Sequence, residues 1–288
     1  MLIKGIARTV AFAGCAAWSL TAGAVTTDGN WSDWFAWSGG GAPVGAGNNA
    51  TAGGNNWNGN GPDLFAPGVV YQPVADGTFP GSGGQDYDIE AVMLFFDDNT
   101  NRLHFGMVTG FNPAGSFGGG GPHYAGDVFF GLGGGVPSDL AVTVGTENTV
   151  ANDNGARFAQ LFGNTGWTTT DPNVAANVPF ATPYRVNEDA GGVLDLTAAR
   201  GLQVNWGTNV NGSTEHNFLE ISFLLDALEV EAVTGDQGGV SLHWTMLCGN
   251  DVVDFATEEP LAPLPEPATI ALFGMGLVGV VLRKRFVA

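Results

Sequence analysis

The sequence predicts an all-β fold, a two-sheet β-sandwich of jelly-roll or related sandwich type, and three observations carry that expectation. Apolar residues alternate with a period of two through the strongest hydrophobic segments. Glycine-rich connections separate those segments, and few stretches have helical periodicity, which leaves sheet-on-sheet packing as the way to bury an apolar face. The composition supplies the material: 44% of the residues are hydrophobic and only 13% charged, and the 46 glycines in 288 residues follow no collagen triplet.

The strands are taken in chain order. Between Ile89 and Phe96, Ile89, Ala91, Met93 and Phe95 alternate with Glu90, Val92, Leu94 and Phe96, so both faces are apolar and the strand is central in its sheet. Asp97-Asp98-Asn99-Thr100-Asn101 has turn chemistry, and Arg102 to Thr109 follows with Leu103, Phe105 and Met107 on one side, which completes a hairpin. Asp127 to Leu132, Ala141 to Val144 and Leu202 to Trp206 are shorter strands. Leu219, Ile221, Phe223 and Leu225 make one face of another, which stops at a helical turn around Asp226 to Leu228. The last expected strand places Leu242, Trp244, Met246 and Cys248 on its core face and Ser241, His243, Thr245 and Leu247 on the other, a half-buried pattern. Gly39 to Pro62 is a low-complexity surface loop.

Charge says how the chain is organised. Of nine basic residues, Lys4 and Arg8 lie at one end and Arg283, Lys284 and Arg285 at the other, leaving four arginines and no lysine between. All but one of the 28 acids precede Glu266, and so acidic a surface repels nucleic acid, which excludes that class of partner. Lys4 and Arg8 flank an apolar run, Val10 to Trp18, ahead of Ala22-Gly23-Ala24, the pattern of a secretory signal peptide ending at residue 24. Residues 25–257 then form the sandwich ectodomain and 258–267 a proline-rich stalk. Ala268 to Leu282 is an uncharged apolar segment, about 22 Å long as a helix, followed directly by the basic cluster. Residues 268–288 are therefore read as a transmembrane helix with a cytoplasmic basic anchor.

Pro265-Glu266-Pro267, the apolar segment and Arg283-Lys284-Arg285 together resemble the PEP-CTERM sorting signal of Gram-negative bacteria over about residues 263 to 288. The resemblance implies an exported protein, held in the inner membrane as a precursor and processed by an exosortase, an integral membrane transpeptidase. It also implies a final place at the cell surface or in a biofilm matrix, with exopolysaccharide as a partner. Tyr87 to Phe111, Gly126 to Phe130 and Phe218 to Leu228 resemble strand signatures of PEP-CTERM ectodomains and, more distantly, carbohydrate-binding and DOMON-like sandwich modules. Ser241 to Asp251 resembles a block found just upstream of such sorting signals.

The sequence offers little for catalysis. His243, Cys248 and Asn250 include the residue types of a Cys-His-Asn hydrolase, but residues five apart on a strand point to opposite faces, and Cys248 is expected to be a buried, unreactive thiol. The four histidines have no metal-ligand spacing, and no phosphate-binding glycine loop precedes a helix. No catalytic residue is assigned and the chain is not read as an enzyme. Two ligand sites are considered. Trp31, Trp34, Trp37 and Trp57 are candidate glycan contacts, because indole faces stack on sugars; the alternative is that the first three pack an N-terminal segment onto the sandwich. Asp97, Asn99 and Asn101 stand at alternate positions as in a calcium loop, yet Arg102 occupies the place of the required glycine, so the turn is read first as a hairpin connector and second as a calcium site. No other cofactor is expected. The functional expectation is a structural protein of the cell surface or matrix, with polysaccharide binding second and a glycan-active enzyme third.

Overall fold

A computed structural model describes residues 25–28, 34, 69–73, 89–112, 116–118, 121–123, 125–134, 139–144, 158–163, 167–168, 185–186, 194–208, 216–246, 252–257 and 259–261. The chain divides into two units, Gly23–Leu264 and Met1–Ala22 with Pro265–Ala288, and every described residue belongs to the first.

Two antiparallel sheets make up this unit. The first has five strands: β1 (Val70–Pro73), β2 (Ile89–Asp97), β3 (Arg102–Thr109), β13 (Asn217–Leu224) and β12 (Gln203–Thr208), in that spatial order. The second has six: β11 (Leu194–Asp195), β8 (Leu161–Gly163), β7 (Leu140–Val142), β6 (Val128–Leu132), β14 (Val240–Thr245) and β15 (Val252–Ala256). Two short strand pairs, β4–β5 (Ser116–Gly118 and Gly121–His123) and β9–β10 (Trp167–Thr168 and Arg185–Val186), stand apart from these sheets. The helix α1 (Ala227–Thr234) carries the chain from β13 in one sheet to β14 in the other.

The main core is the β-sandwich filling expected from alternation. Val92, Leu94, Leu103, Phe105, Ile221 and Phe223 of the first sheet and Val128, Phe130, Leu242 and Trp244 of the second join one buried cluster. Phe130 is its keystone, edge-on to Phe223 at 5.3 Å and to Phe105 at 5.8 Å between ring centroids, the arrangement favoured by the ring quadrupole. Trp244 meets Phe111 at 6.2 Å and donates its indole N–H to the Gly126 carbonyl, so its polar atom is satisfied in the interior.

Three expectations are corrected. Ile89 faces the main core with Val92, Leu94 and Phe96, while Met93 and Phe95 face away from it. A register shift between Ile89 and Ala91 inserts one residue, and such a bulge flips the alternation. Second, β14 is buried on both faces rather than half-buried, because a small cluster of Phe129, Ala141, Phe162 and Val186 occupies the far side of its sheet. Nor is β14 the last strand, since β15 pairs along its edge. Third, the helical turn grows into eight residues. Asp226 is its N-cap, accepting from the backbone N–H groups of Leu228 and Glu229, while the Glu229 carboxylate accepts from the Asp226 N–H. That is a full capping box.

Candidate functional site

Residues 25–28 and Trp34 pack on the outer face of the five-stranded sheet. Val25 and Trp34 are buried there with Met93, Phe95, Val108 and Phe218. Thr27 donates its hydroxyl to Ser222 Oγ at 2.7 Å, the Asn205 amide donates to the Thr27 carbonyl, and the Asp28 N–H donates to Glu220 Oε2 at 2.9 Å. The Trp34 indole N–H donates to Glu220 Oε1 at 2.7 Å, so one buried carboxylate holds two points of the segment. Gly106 makes the seat: a Cβ there would lie 2.9 Å from the Phe218 ring and 3.1 Å from the indole. Trp34 is 1% exposed and edge-on to Phe218 at 6.3 Å. Its ring is enclosed in packing against the sheet. Trp31, Trp37 and Trp57 lie outside the described residues.

The Asp97 to Asn101 turn joins β2 to β3, with Asp97 opposite Arg102 in register. Both carboxylate oxygens of Asp97 are engaged inside the turn: Oδ1 accepts from the Asn99 backbone and side-chain amides and Oδ2 from the Thr100 hydroxyl at 2.6 Å. Partial burial raises the Asp97 pKa, but these hydrogen bonds outweigh it and hold the carboxyl below its usual range. Asn101 adopts a left-handed conformation, φ 54°, which asparagine tolerates better than most residues, so the turn needs no glycine there. Asp127, just before β6 of the other sheet, is buried and accepts from the Val186 N–H. Among the described residues, no group of three or more His, Cys, Asp or Glu is placed to hold a metal ion.

His243 lies on the outer face of the six-stranded sheet, opposite Asp254 in register, with Nδ1 2.7 Å from the Asp254 carboxylate. Its Nε2 is buried without a hydrogen bond. Cys248 and Asn250 lie outside the described residues. Tyr71, Glu90 and His216 form a second group of titratable side chains. His216 Nδ1 lies 3.6 Å from the buried Glu90 carboxylate, and burial with the nearby Glu90 charge pushes the Tyr71 hydroxyl up to about 12. Sequence reasoning missed this group, because the register shift at Glu90 leaves no mark on the alternation of its strand.

The clearest functional signal lies past the last strand. Thr257 and Leu261 remain anchored: the Thr257 N–H donates to the Val240 carbonyl, and the Leu261 N–H donates to the Val233 carbonyl near the end of α1. Leu261 is 2% exposed and belongs to the main core, so the start of the segment read as a stalk is part of the sandwich. Four residues further on stand Pro265, Glu266 and Pro267, then the apolar segment and Arg283 to Arg285, all outside the described residues. Among the described residues no helix is long and apolar enough to cross a membrane.

Residues 263–285 match the PEP-CTERM protein-sorting motif. Comparison with curated proteins and with solved structures finds no match.

Proposed function

We propose, from the premise that this chain is an exported exosortase substrate sorted to the cell surface, that its sandwich is a structural component of the surface or extracellular matrix and not an enzyme. The observation that carries this reading is the packing of the sheets on both faces: β2, β3, β13 and β14 are buried nearly throughout, and Trp34 is buried on the outer face of the five-stranded sheet. A lysine-free acidic surface adds support, since it keeps an extracellular domain soluble. The sorting tail supplies the chemistry of placement. The apolar segment holds the precursor in the inner membrane, the basic cluster stays on the cytoplasmic side, and Pro265-Glu266-Pro267 is presented at the outer boundary for the transpeptidase.

Two measurements test the reading. Fractionation of cells carrying Glu266→Ala, or lacking Arg283 to Arg285, is expected to find unprocessed precursor in the membrane and little protein at the surface; unchanged maturation in both overturns the sorting mechanism. A glycan array probed with the mature protein is expected to give no saturable binding. Saturable binding of a polysaccharide makes the domain a binding module instead.

A further inference from the structure

The N-terminal segment, residues 25–28 with Trp34, is held on the five-stranded sheet as a ligand is held in a site. Its hydrogen bonds reach residues remote in sequence: Thr27 meets Ser222, 195 residues away, and the Asn205 amide meets the Thr27 carbonyl, 178 away. Glu220 takes both the Asp28 N–H, 192 residues away, and the Trp34 indole, 186 away. These bonds come from side chains of β12 and β13 and not from a strand ladder, since residues 25–28 belong to no strand. The apolar part of the seat is built the same way. Met93 and Phe95 of β2, Val108 of β3 and Phe218 of β13 pack with Val25 and Trp34, and Gly106 leaves the space that the indole fills.

The seat therefore recognises what the segment carries: an apolar side chain at Val25, a hydroxyl at Thr27, a backbone N–H at Asp28 and an indole at Trp34. It does not recognise which copy of the chain supplies them. Among the described residues, the part of the seat nearest in sequence is Val69, 35 residues after Trp34. We propose that the seat also takes residues 25–34 of a second copy, so that copies of this protein join by exchanging their N-terminal segments. This does not rest on the matrix role of the sandwich, because a glycan-binding sandwich has the same seat and the same segment.

Two opposing effects set the balance. A sheet that has lost its own segment exposes Met93, Phe95, Val108 and Phe218 and deprives the buried Glu220 carboxylate of the Asp28 and Trp34 donors, which draws a second segment in. The bonds regained are those of the closed chain, so exchange costs only the joining of copies and grows with their concentration. Net charge opposes it. With 28 acidic residues against 9 basic ones, copies repel each other, and salt screens that repulsion. Each copy offers one segment and one seat, so mutual exchange closes a two-fold pair and one-way exchange extends a row.

The test uses the Thr27 and Ser222 hydroxyls, whose oxygens lie 2.7 Å apart, as the site of a disulfide. Mature Thr27→Cys and Ser222→Cys proteins are mixed at high concentration in high salt, oxidised and digested. Mass spectrometry then measures the disulfide that joins position 27 of one chain to position 222 of the other. A chain carrying both substitutions is the positive control and is expected to close the link within itself. A mixture of Thr27→Cys with Leu228→Cys measures chance collision, since Leu228 is 83% exposed on α1. The link between chains at position 222 is expected several-fold above that at position 228 and to rise with protein concentration. It is expected to rise again when Trp34→Ala is added to the Ser222→Cys chain, which loosens that chain's own segment. Equal yields at positions 222 and 228 overturn the proposal, as does a link that forms only within single chains. A double variant that does not close at all removes the segment from its seat and overturns it too. The comparison of positions 222 and 228 needs no Trp34→Ala, so unfolding of that variant leaves the test intact.

Discussion

At the residue scale, the seat of Trp34 shows how one small side chain permits one large one. Gly106 leaves room for the indole and the Phe218 ring, and Glu220 meets the indole N–H beneath the segment. Trp34→Ala removes a large buried ring and leaves the carboxylate without that donor, at an expected cost of about 3–5 kcal/mol. Gly106→Ala forces the rings apart, at about 1–3 kcal/mol. Urea unfolding of the mature protein checks both, and a change in midpoint for neither removes the N-terminal segment from the stabilising structure. His104 is a second sensitive residue. It is buried against Phe95 with Nδ1 unpartnered; burial first, then the Arg102 charge, pushes its pKa down to about 4, against a smaller opposing effect of Asp97. The unfolded chain takes up a proton near pH 6.5 while the folded one refuses it until about pH 4, so stability is lost as pH falls through this window. The expected loss is about 1.5 kcal/mol between pH 6.5 and 5, measured as the difference between wild type and His104→Gln in urea midpoints. Identical pH slopes in the two proteins contradict this account.

At the element scale, two connections are held by side chains that a sequence pattern only partly exposes. Asp226 caps α1 and pairs with Arg200, and Asp226→Ala is expected to cost about 1–2 kcal/mol by removing the cap, with helix protection lost first in hydrogen exchange. The β2–β3 turn depends on the left-handed backbone of Asn101. Asn101→Ala is expected to destabilise by about 1 kcal/mol and Asn101→Gly hardly at all, because alanine keeps a Cβ that the left-handed backbone disfavours but lacks asparagine's polar side chain, whereas glycine has no Cβ. Since both Asp97 oxygens serve this turn, thermal unfolding at millimolar calcium is expected to match unfolding with chelator. A calcium-dependent rise in melting temperature, removed by Asp97→Asn with Asn99→Ala, makes the turn a metal site.

At the scale of the whole molecule, Leu261 is the last described residue of the main core and the sorting motif begins at residue 263. Deleting residues 265–288 is therefore expected to leave the melting temperature of the domain unchanged. Deleting from residue 258 onward also removes Leu261 from the core, and is expected to cost about 2–5 kcal/mol. Equal melting temperatures for the two truncations contradict the placement of Leu261. The helix α1 links the two sheets and, at Val233, accepts the backbone N–H of Leu261.

The sequence by itself determined the sorting tail, because order and spacing along the chain define it: Pro-Glu-Pro, an apolar run and a basic cluster are read in one dimension. It also determined the β2–β3 hairpin, where alternation and turn residues are local properties. Tertiary structure alone decided which face each residue of β2 takes, since a one-residue bulge at Glu90 reverses the alternation and depends on the partner strand. It likewise decided the fate of Trp34. An indole near a chain terminus has the same sequence signature whether it meets a sugar or a sheet, and only the space above Gly106, with Glu220 186 residues away, makes burial the lower-energy place. Short strands such as β8 and β11 were illegible for the same reason: two or three residues hold no period, and they become strands only because neighbours in the folded sheet supply the hydrogen bonds.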